Sequence, residues 1–180
     1  MTNYQEILDF WFKELNPDQH FTADDQLDQE IAHRFGQIHT AARQSQLYAW
    51  RDNLDSALAE IIILDQFSRN LFRGNWRSYS QDGMALALAQ QAIARFNTNQ
   101  LTSQERSFLY MPYMHSESLA IHDQAMMLFS SDPGLAETLE YEVAHYKIIK
   151  AFNRYPFRNQ ALGRQSTPEE EDFLANFTGF

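Results

Sequence analysis

The chain contains no cysteine, which excludes disulfide frameworks, thiolate metal sites and cysteine nucleophiles together. Glycine and proline are scarce, six and five among 180 residues, so few positions force a helix to stop. Long apolar runs are missing as well. Runs such as Phe108 to Met114 and Ile61 to Leu64 fall far short of the roughly 20 residues a membrane-spanning helix requires. The N-terminal stretch MTNYQEILDFWF lacks the basic region and cleavage site of a secretory signal. A cytoplasmic protein without a membrane partner is expected. Positive charge is also short, 14 Lys and Arg against 24 Asp and Glu for a net −10, and this argues against a nucleic-acid surface built on phosphate neutralisation.

What is present suits a folded chain. Apolar residues make up 44% and aromatic residues 14%, and 180 residues fit one domain, 1–180, able to bury a core without a staple. The charge is unevenly spread. Residues 66–81 hold Arg69, Arg73 and Arg77 with no acid, residues 154–164 hold Arg154, Arg158 and Arg164 with no acid, and the remainder sums to −16. Arginines outnumber lysines 11 to 3, a bias that suits planar, bidentate pairing with carboxylate or phosphate.

Helix signals follow one another along the chain. Thr2 and Gln5 have capping-box spacing ahead of Ile7, Leu8, Trp11 and Phe12, and Pro17 ends that helix. Thr22 caps a second, whose stripe of Leu27, Ile31, Phe35, Ile38 and Ala42 is buried. Asn53 caps a third through LDSALAEIIILDQFSRNLF, apolar on every side and therefore central, and Gly74 closes it. A fourth opens at Ser80 or Gln81. Thr102 and Glu105 box a fifth, in which Pro112 must break or kink the helix, and the chain resumes near Ser116. Asp132 with Pro133, and Thr167 with Pro168 and Glu170, open the last two. No strand-like alternation is sustained. Seven to eight helices on short loops predict an all-α bundle of antiparallel helical hairpins.

Four segments go beyond pattern: DFWF at 9–12, LDQFSRNLFRG at 64–74, YMPYMHSE at 110–117 and HYKIIKAFNRYPFRNQALGRQSTPEE at 145–170. In this order they resemble the bacterial family known as domain of unknown function 924, whose members read LDQFPRN, YLPFMHSE and FGRFPHRN followed by LGR and STxEE. The resemblance implies a tetratricopeptide-like all-α fold and no reaction. The chain departs from the family pattern at Ser68, where Pro is common, at Asn153, where Gly is common, and at Phe157, where His is common. If that His carried chemistry in the family, Phe157 could not replace it.

Several polar residues ask for partners. Asp65 shares one side of the third helix with Leu54, Leu58, Ile61, Arg69 and Phe72 at about 100° per residue, so its carboxylate needs a cation. Arg69 one turn on, or an arginine of another helix, could serve. The pair is either a structural ion pair or a carboxylate orienting arginines for a ligand. His115 and Glu117 follow an apolar run and are candidates for proton transfer, with Ser116 read as a cap. Two E-x-x-H pairs, Glu30/His33 and Glu142/His145, have the spacing of a carboxylate-bridged metal bundle. His33, about 160° from its helix's buried stripe, points to solvent, and one surviving pair does not make a metal site. His145 is read instead as a hydrogen-bonding core residue, and Asn159 as an orienting one.

Arg154, Arg158 and Arg164, pinned by Pro156 and Gly163, either tie their loop to acidic helix ends or converge with Arg69 and Arg73 on an anion. Three readings follow. The preferred one is a binding module with an arginine-lined pocket for an anionic small molecule or peptide carboxylate. The second is an enzyme using His115 and Glu117 on an anionic substrate, and the third a purely structural scaffold. No cofactor or metal is indicated. The pocket readings require the motifs around Asp65, His115 and Arg158 to line one shared site, although about 40 to 50 residues separate them along the chain.

Overall fold

The computed structural model describes residues 3–179, which form helices and short 3-10 turns with no strand among the described residues. Helix α1 is Tyr4–Asp9, extended by a π turn at Phe10–Glu14. Helix α2 is Asp25–Arg43. Helix α3 runs in three contiguous pieces, Leu54–Ile62, a π turn at Ile63–Phe67, and Ser68–Leu71. Then come α4 (Asp82–Arg95), α5 (Ser103–Met114), α6 (Leu119–Ser130), α7 (Ala136–Phe152) and α8 (Pro168–Asn176).

The expected caps at Asn53, Thr102 and Thr167 are formed, the last two as closed capping boxes with Glu105 and Glu170. Asp132 accepts from the Gly134 N–H and opens the 3-10 turn that leads into α7. Elsewhere the caps differ from expectation. Thr2 lies outside the described residues, and the α1 cap is Asn3, which accepts from the Glu6 N–H at 3.0 Å. The α2 cap is Asp24, which accepts from the N–H groups of Gln26 and Leu27. Thr22 instead donates to the Asp18 carbonyl at 2.9 Å. A carboxylate at the positive helix end outcompetes a hydroxyl that has another acceptor within reach. Helix α5 does not break at Pro112 but continues to Met114. The proline lies in the last turn, where only one N–H bond is forfeited before the helix ends. Ser116 is not a cap, because α6 begins only after Ser118.

Helix α3 is central, as its all-round apolarity predicts: every residue from Ser56 to Ser68 is buried, and it packs against α1, α2, α4 and α5. From there the chain proceeds by neighbours, α4 on α5, α5 on α6 and α6 on α7. Ser68 joins α3 to α2, since its hydroxyl donates to the Leu64 carbonyl (2.6 Å) and lies 2.9 Å from the buried His39 Nε2. Besides the main core there is a smaller apolar cluster of Ile148, Ile149 and Tyr155, covered by Phe152, Phe157, Phe173 and Phe177. Those phenylalanines attach the short α8 to the bundle. Among the described residues, no helix is long and apolar enough to cross a membrane.

Helix α7 ends on Asn153 with φ 55° and ψ 16°, the left-handed conformation that glycine adopts without cost and asparagine tolerates. Its N–H bonds the Ile149 carbonyl at 2.8 Å, and the chain then reverses into the Arg154–Arg164 loop. This geometry explains why glycine suits the position. Asn153→Ala should cost about 1 kcal/mol in chemical denaturation, whereas Asn153→Gly should be neutral or stabilising. Equal losses in both variants would show that the left-handed turn does not limit stability.

Candidate functional site

The site is built outward from the π turn in α3. A π turn adds a residue to the helical repeat and is frequent at functional positions. Here all five of its residues, Ile63–Phe67, are buried. Asp65 is 1% exposed. Its Oδ1 accepts from His115 Nδ1 at 2.7 Å and lies 3.2 Å from Arg69 Nη1, while Oδ2 accepts from the Gln66 amide. Burial alone would raise this carboxyl, but the pull of His115 and Arg69 and the hydrogen bonds from His115 and Gln66 outweigh it and hold the group well below the ordinary carboxylate range. Burial and the neighbouring Arg69 push His115 below the usual histidine value. Nδ1 is committed to Asp65, and Nε2 is the ring nitrogen left without a protein partner among the described residues.

The backbone around His115 is held from both sides. The Tyr155 hydroxyl donates to the Met114 carbonyl at 2.5 Å, and His122 Nε2 donates to the Ser116 carbonyl at 2.8 Å. His122 is itself fixed through Nδ1 to Glu142 Oε1 at 2.6 Å, both side chains being fully buried. Burial lifts Glu142 above its ordinary value, against the pull of His122. His115 thus sits at the end of α5 with its flanking carbonyls anchored and its ring aimed by a carboxylate. Such support preorganises a side chain for chemistry.

Two clefts meet at this residue. The larger, about 260 Å³, is lined by Arg69, Arg73, Gly74, Ser78, Tyr79, His115, His145, Phe157 and Arg158. The smaller, about 190 Å³, shares Arg69, Arg73 and His115 and is completed by His20, Phe21, Thr22, Gln66, Asn70 and Met111. Neither wall contains a carboxylate. The motifs around Asp65, His115 and Arg158 therefore converge, as a shared site requires.

The acids stand behind the arginines. Asp82, the first acid after the 66–81 run, bridges two of them: Arg69 donates to both of its oxygens (3.0 and 3.1 Å) and Arg158 Nη1 to Oδ2 at 3.1 Å. Arg158 is 5% exposed and lies against two rings, its Cζ 4.5 Å from the Tyr79 centroid and 4.6 Å from that of Tyr155. Its buried Nε has no hydrogen-bond partner among the described residues. Burial works against its charge, with Asp82 opposing that effect.

The other arginines are used internally. Arg73 pairs with Asp28 through two bonds of 2.9 Å at the cleft rim. Arg154 grips Glu170 in α8 (2.6 and 2.7 Å). Arg164, after Gly163 at φ 65°, grips Glu117 (2.6 and 2.9 Å). Glu117 also accepts from the Tyr155 N–H at 2.9 Å and lines neither cleft. It braces the arginine loop and stands apart from His115. Asn159 joins the two pairs, accepting from Arg164 Nε and donating to Glu170 Oε2 and Ser166 Oγ. His145 donates from Nδ1 to the Tyr141 carbonyl at 2.7 Å, and burial, chiefly, lowers it to about 3. His33 is exposed, as its helical phase predicts. Phe157 stacks on Tyr155 and Phe177 (5.1 and 5.3 Å) and presents a ring to the cleft where the family pattern has an imidazole.

Sequence reasoning missed Asp82, Tyr79, Tyr155, His122 and Glu60, the last fully buried and paired with Arg51 at 2.7 and 2.8 Å. Asp82 had one usable signal, its place at the end of an acid-free run. Tyr155 lies inside the RYPFRN motif, and the others carry no local mark.

Fold and site together define an all-helical protein whose larger cleft is lined by Arg69, Arg73, His115 and Arg158 among others. The chain belongs to a family described as bacterial protein of unknown function, DUF924, whose model matches residues 7–177. It is similar to a protein of unknown function, ATU0120, from Agrobacterium tumefaciens, with a TM-score of 0.91 and 36% identity over 97% of each chain. None of the curated proteins matches it.

Asp65→Ala should destabilise the fold by about 3–5 kcal/mol, the scale for breaking a buried charge pair. Because the folded carboxyl lies below its unfolded value of about 3.9, its contribution is complete above that pH and is lost as acid takes the protein through the folded value. The acid limb of the stability curve should therefore flatten below about pH 4 in the variant. A loss under about 1 kcal/mol in denaturant titration would contradict the buried ion pair.

Proposed function

We propose that the cleft binds a small anionic molecule carrying a phosphate or carboxylate group, with Arg158 as the principal contact and Arg69 and Arg73 beside it. One observation carries this reading: Arg158 is almost fully buried yet under-used. Of its five N–H donors, the only one hydrogen-bonded among the described residues is Nη1, to Asp82. The guanidinium lines the larger cleft, and its Nη donors not spent on Asp82 suit carboxylate and phosphate oxygens. Burying such a group with unmet donors costs energy that a bound anion would offset. Arg69, Arg73 and Arg158 line the larger cleft, while the acids paired with them stand outside its lining. The clefts are small and share a wall, a shape that suits a compact molecule better than an extended peptide.

A thermal-shift titration with phosphate, sulfate, citrate and nucleotides tests this. At 100 times its dissociation constant a bound anion stabilises by about 2.7 kcal/mol, and the shift should shrink as chloride rises. Arg158→Lys keeps the charge and the cleft but loses the planar guanidinium, so it should weaken binding by about tenfold or more. If no anion raises the wild-type midpoint in a concentration-dependent way, the reading fails.

A further inference from the structure

We propose that the cleft is a site of reaction, with His115 as its general base, accepting a proton from an O–H group of a bound small molecule or of a water held against it. The anionic nature of that molecule rests on the reading above; the base does not. Three observations support the assignment. His115 Nδ1 is committed to the buried Asp65 carboxylate at 2.7 Å, whereas Nε2 has no protein partner among the described residues and the ring lines both clefts. The other cleft histidines differ: His20 bonds the Trp11 carbonyl and His145 the Tyr141 carbonyl. A neutral carbonyl supports an imidazolium far less than a carboxylate does, and the buried Asp65 carboxylate equips His115 to gain charge. Finally, the serine and threonine hydroxyls of the walls are spent, Ser78 on the Phe72 carbonyl and Thr22 on the Asp18 carbonyl. No cysteine exists. The arrangement thus favours proton transfer over attack by a serine, threonine or cysteine nucleophile.

In the step itself the O–H proton moves to Nε2 and the bonding electron pair stays on oxygen. The imidazolium that forms is balanced by Asp65, and the oxygen's negative charge faces Arg69 and Arg158. Return of the proton to the product resets the ring. Asp65 is a positioning residue, setting the tautomer that leaves Nε2 open, and Tyr155 and His122 position the backbone.

The test needs no known substrate. In the full chain with 15N-labelled histidine at pH 7, ring spectra assigned with His115→Gln should show His115 as the Nδ1–H tautomer with a bare Nε2. An Nε2–H tautomer, or a doubly protonated ring, would overturn the proposal. Asp65→Asn should switch the tautomer, since an amide can offer its own N–H to Nδ1. Should that variant not fold, the wild-type spectrum still decides. Diethyl pyrocarbonate, which acylates a bare imidazole nitrogen, should modify His115 in the wild type, and an unmodified His115 counts against the base. Inorganic phosphate at ten times its dissociation constant should slow that modification about tenfold. Modification of His115 unaffected by phosphate would remove the anion reading while leaving the base intact.

Discussion

An ionised carboxylate at 1% exposure in the middle of the central helix cannot be left without company, because its desolvation costs several kcal/mol. Asp65 meets that demand by drawing Arg69 from its own helix and His115 from the end of α5 into one cluster. The neighbouring features answer to it. Arg69, once inside, needs more negative charge than half-shared Asp65 supplies, and Asp82 at the start of α4 provides it. Asp82 in turn holds Arg158 from the far end of the chain. Four helical segments far apart in sequence are thereby brought to one place by alternating charge. The π turn that carries Asp65 aims its side chain inward, and the alternation ends at a cleft.

The same logic explains the uneven charge of the sequence. Two acid-free runs hold six arginines, yet five of these find carboxylates across the fold, on Asp28, Asp65, Asp82, Glu117 and Glu170. The sixth, Arg77, lies over the Phe72 ring at 5.1 Å. Arg154 and Arg164 serve architecture in this arrangement: with Asn159 between them they tie the 154–164 loop to α8 and to Glu117. Arg158 stands apart because its carboxylate is shared with Arg69 and meets it through a single hydrogen bond. A bidentate pair leaves fewer N–H groups for a ligand than a single contact does.

The residue replaced relative to the family pattern, Phe157, also acquires a physical setting. It belongs to the apolar cluster that attaches α8, and it contributes one wall of the larger cleft. Exchanging an imidazole for this ring trades a polar wall for an apolar one without touching the Asp65–His115 pair. The base and its support are thus separable from position 157.

Helix existence and order were legible in the sequence because they rest on local physics. Asn53, Thr102 with Glu105 and Thr167 with Glu170 bond donors within three residues of themselves. The apolarity of α3 on every side required a central place, and Gly74 and Asn153 marked reversals where φ is positive. Asp65's need for a cation followed from helical phase alone, and Arg69 four residues on was within reach. Local competition already blurred some ends: Thr22 lost its cap to Asp24 and Pro112 fell too late in α5 to break it. Beyond the reach of one helix, the sequence could offer types of residue but not pairs. That His115 faces Asp65 rather than Glu117, that Asp82 bridges Arg69 and Arg158, and that His122 and Tyr155 pin the carbonyls beside His115 are contacts between different elements, separated by up to 76 residues of chain. They depend on how helices pack and on where a π turn rotates a side chain, and neither is written in the spacing of the residues concerned.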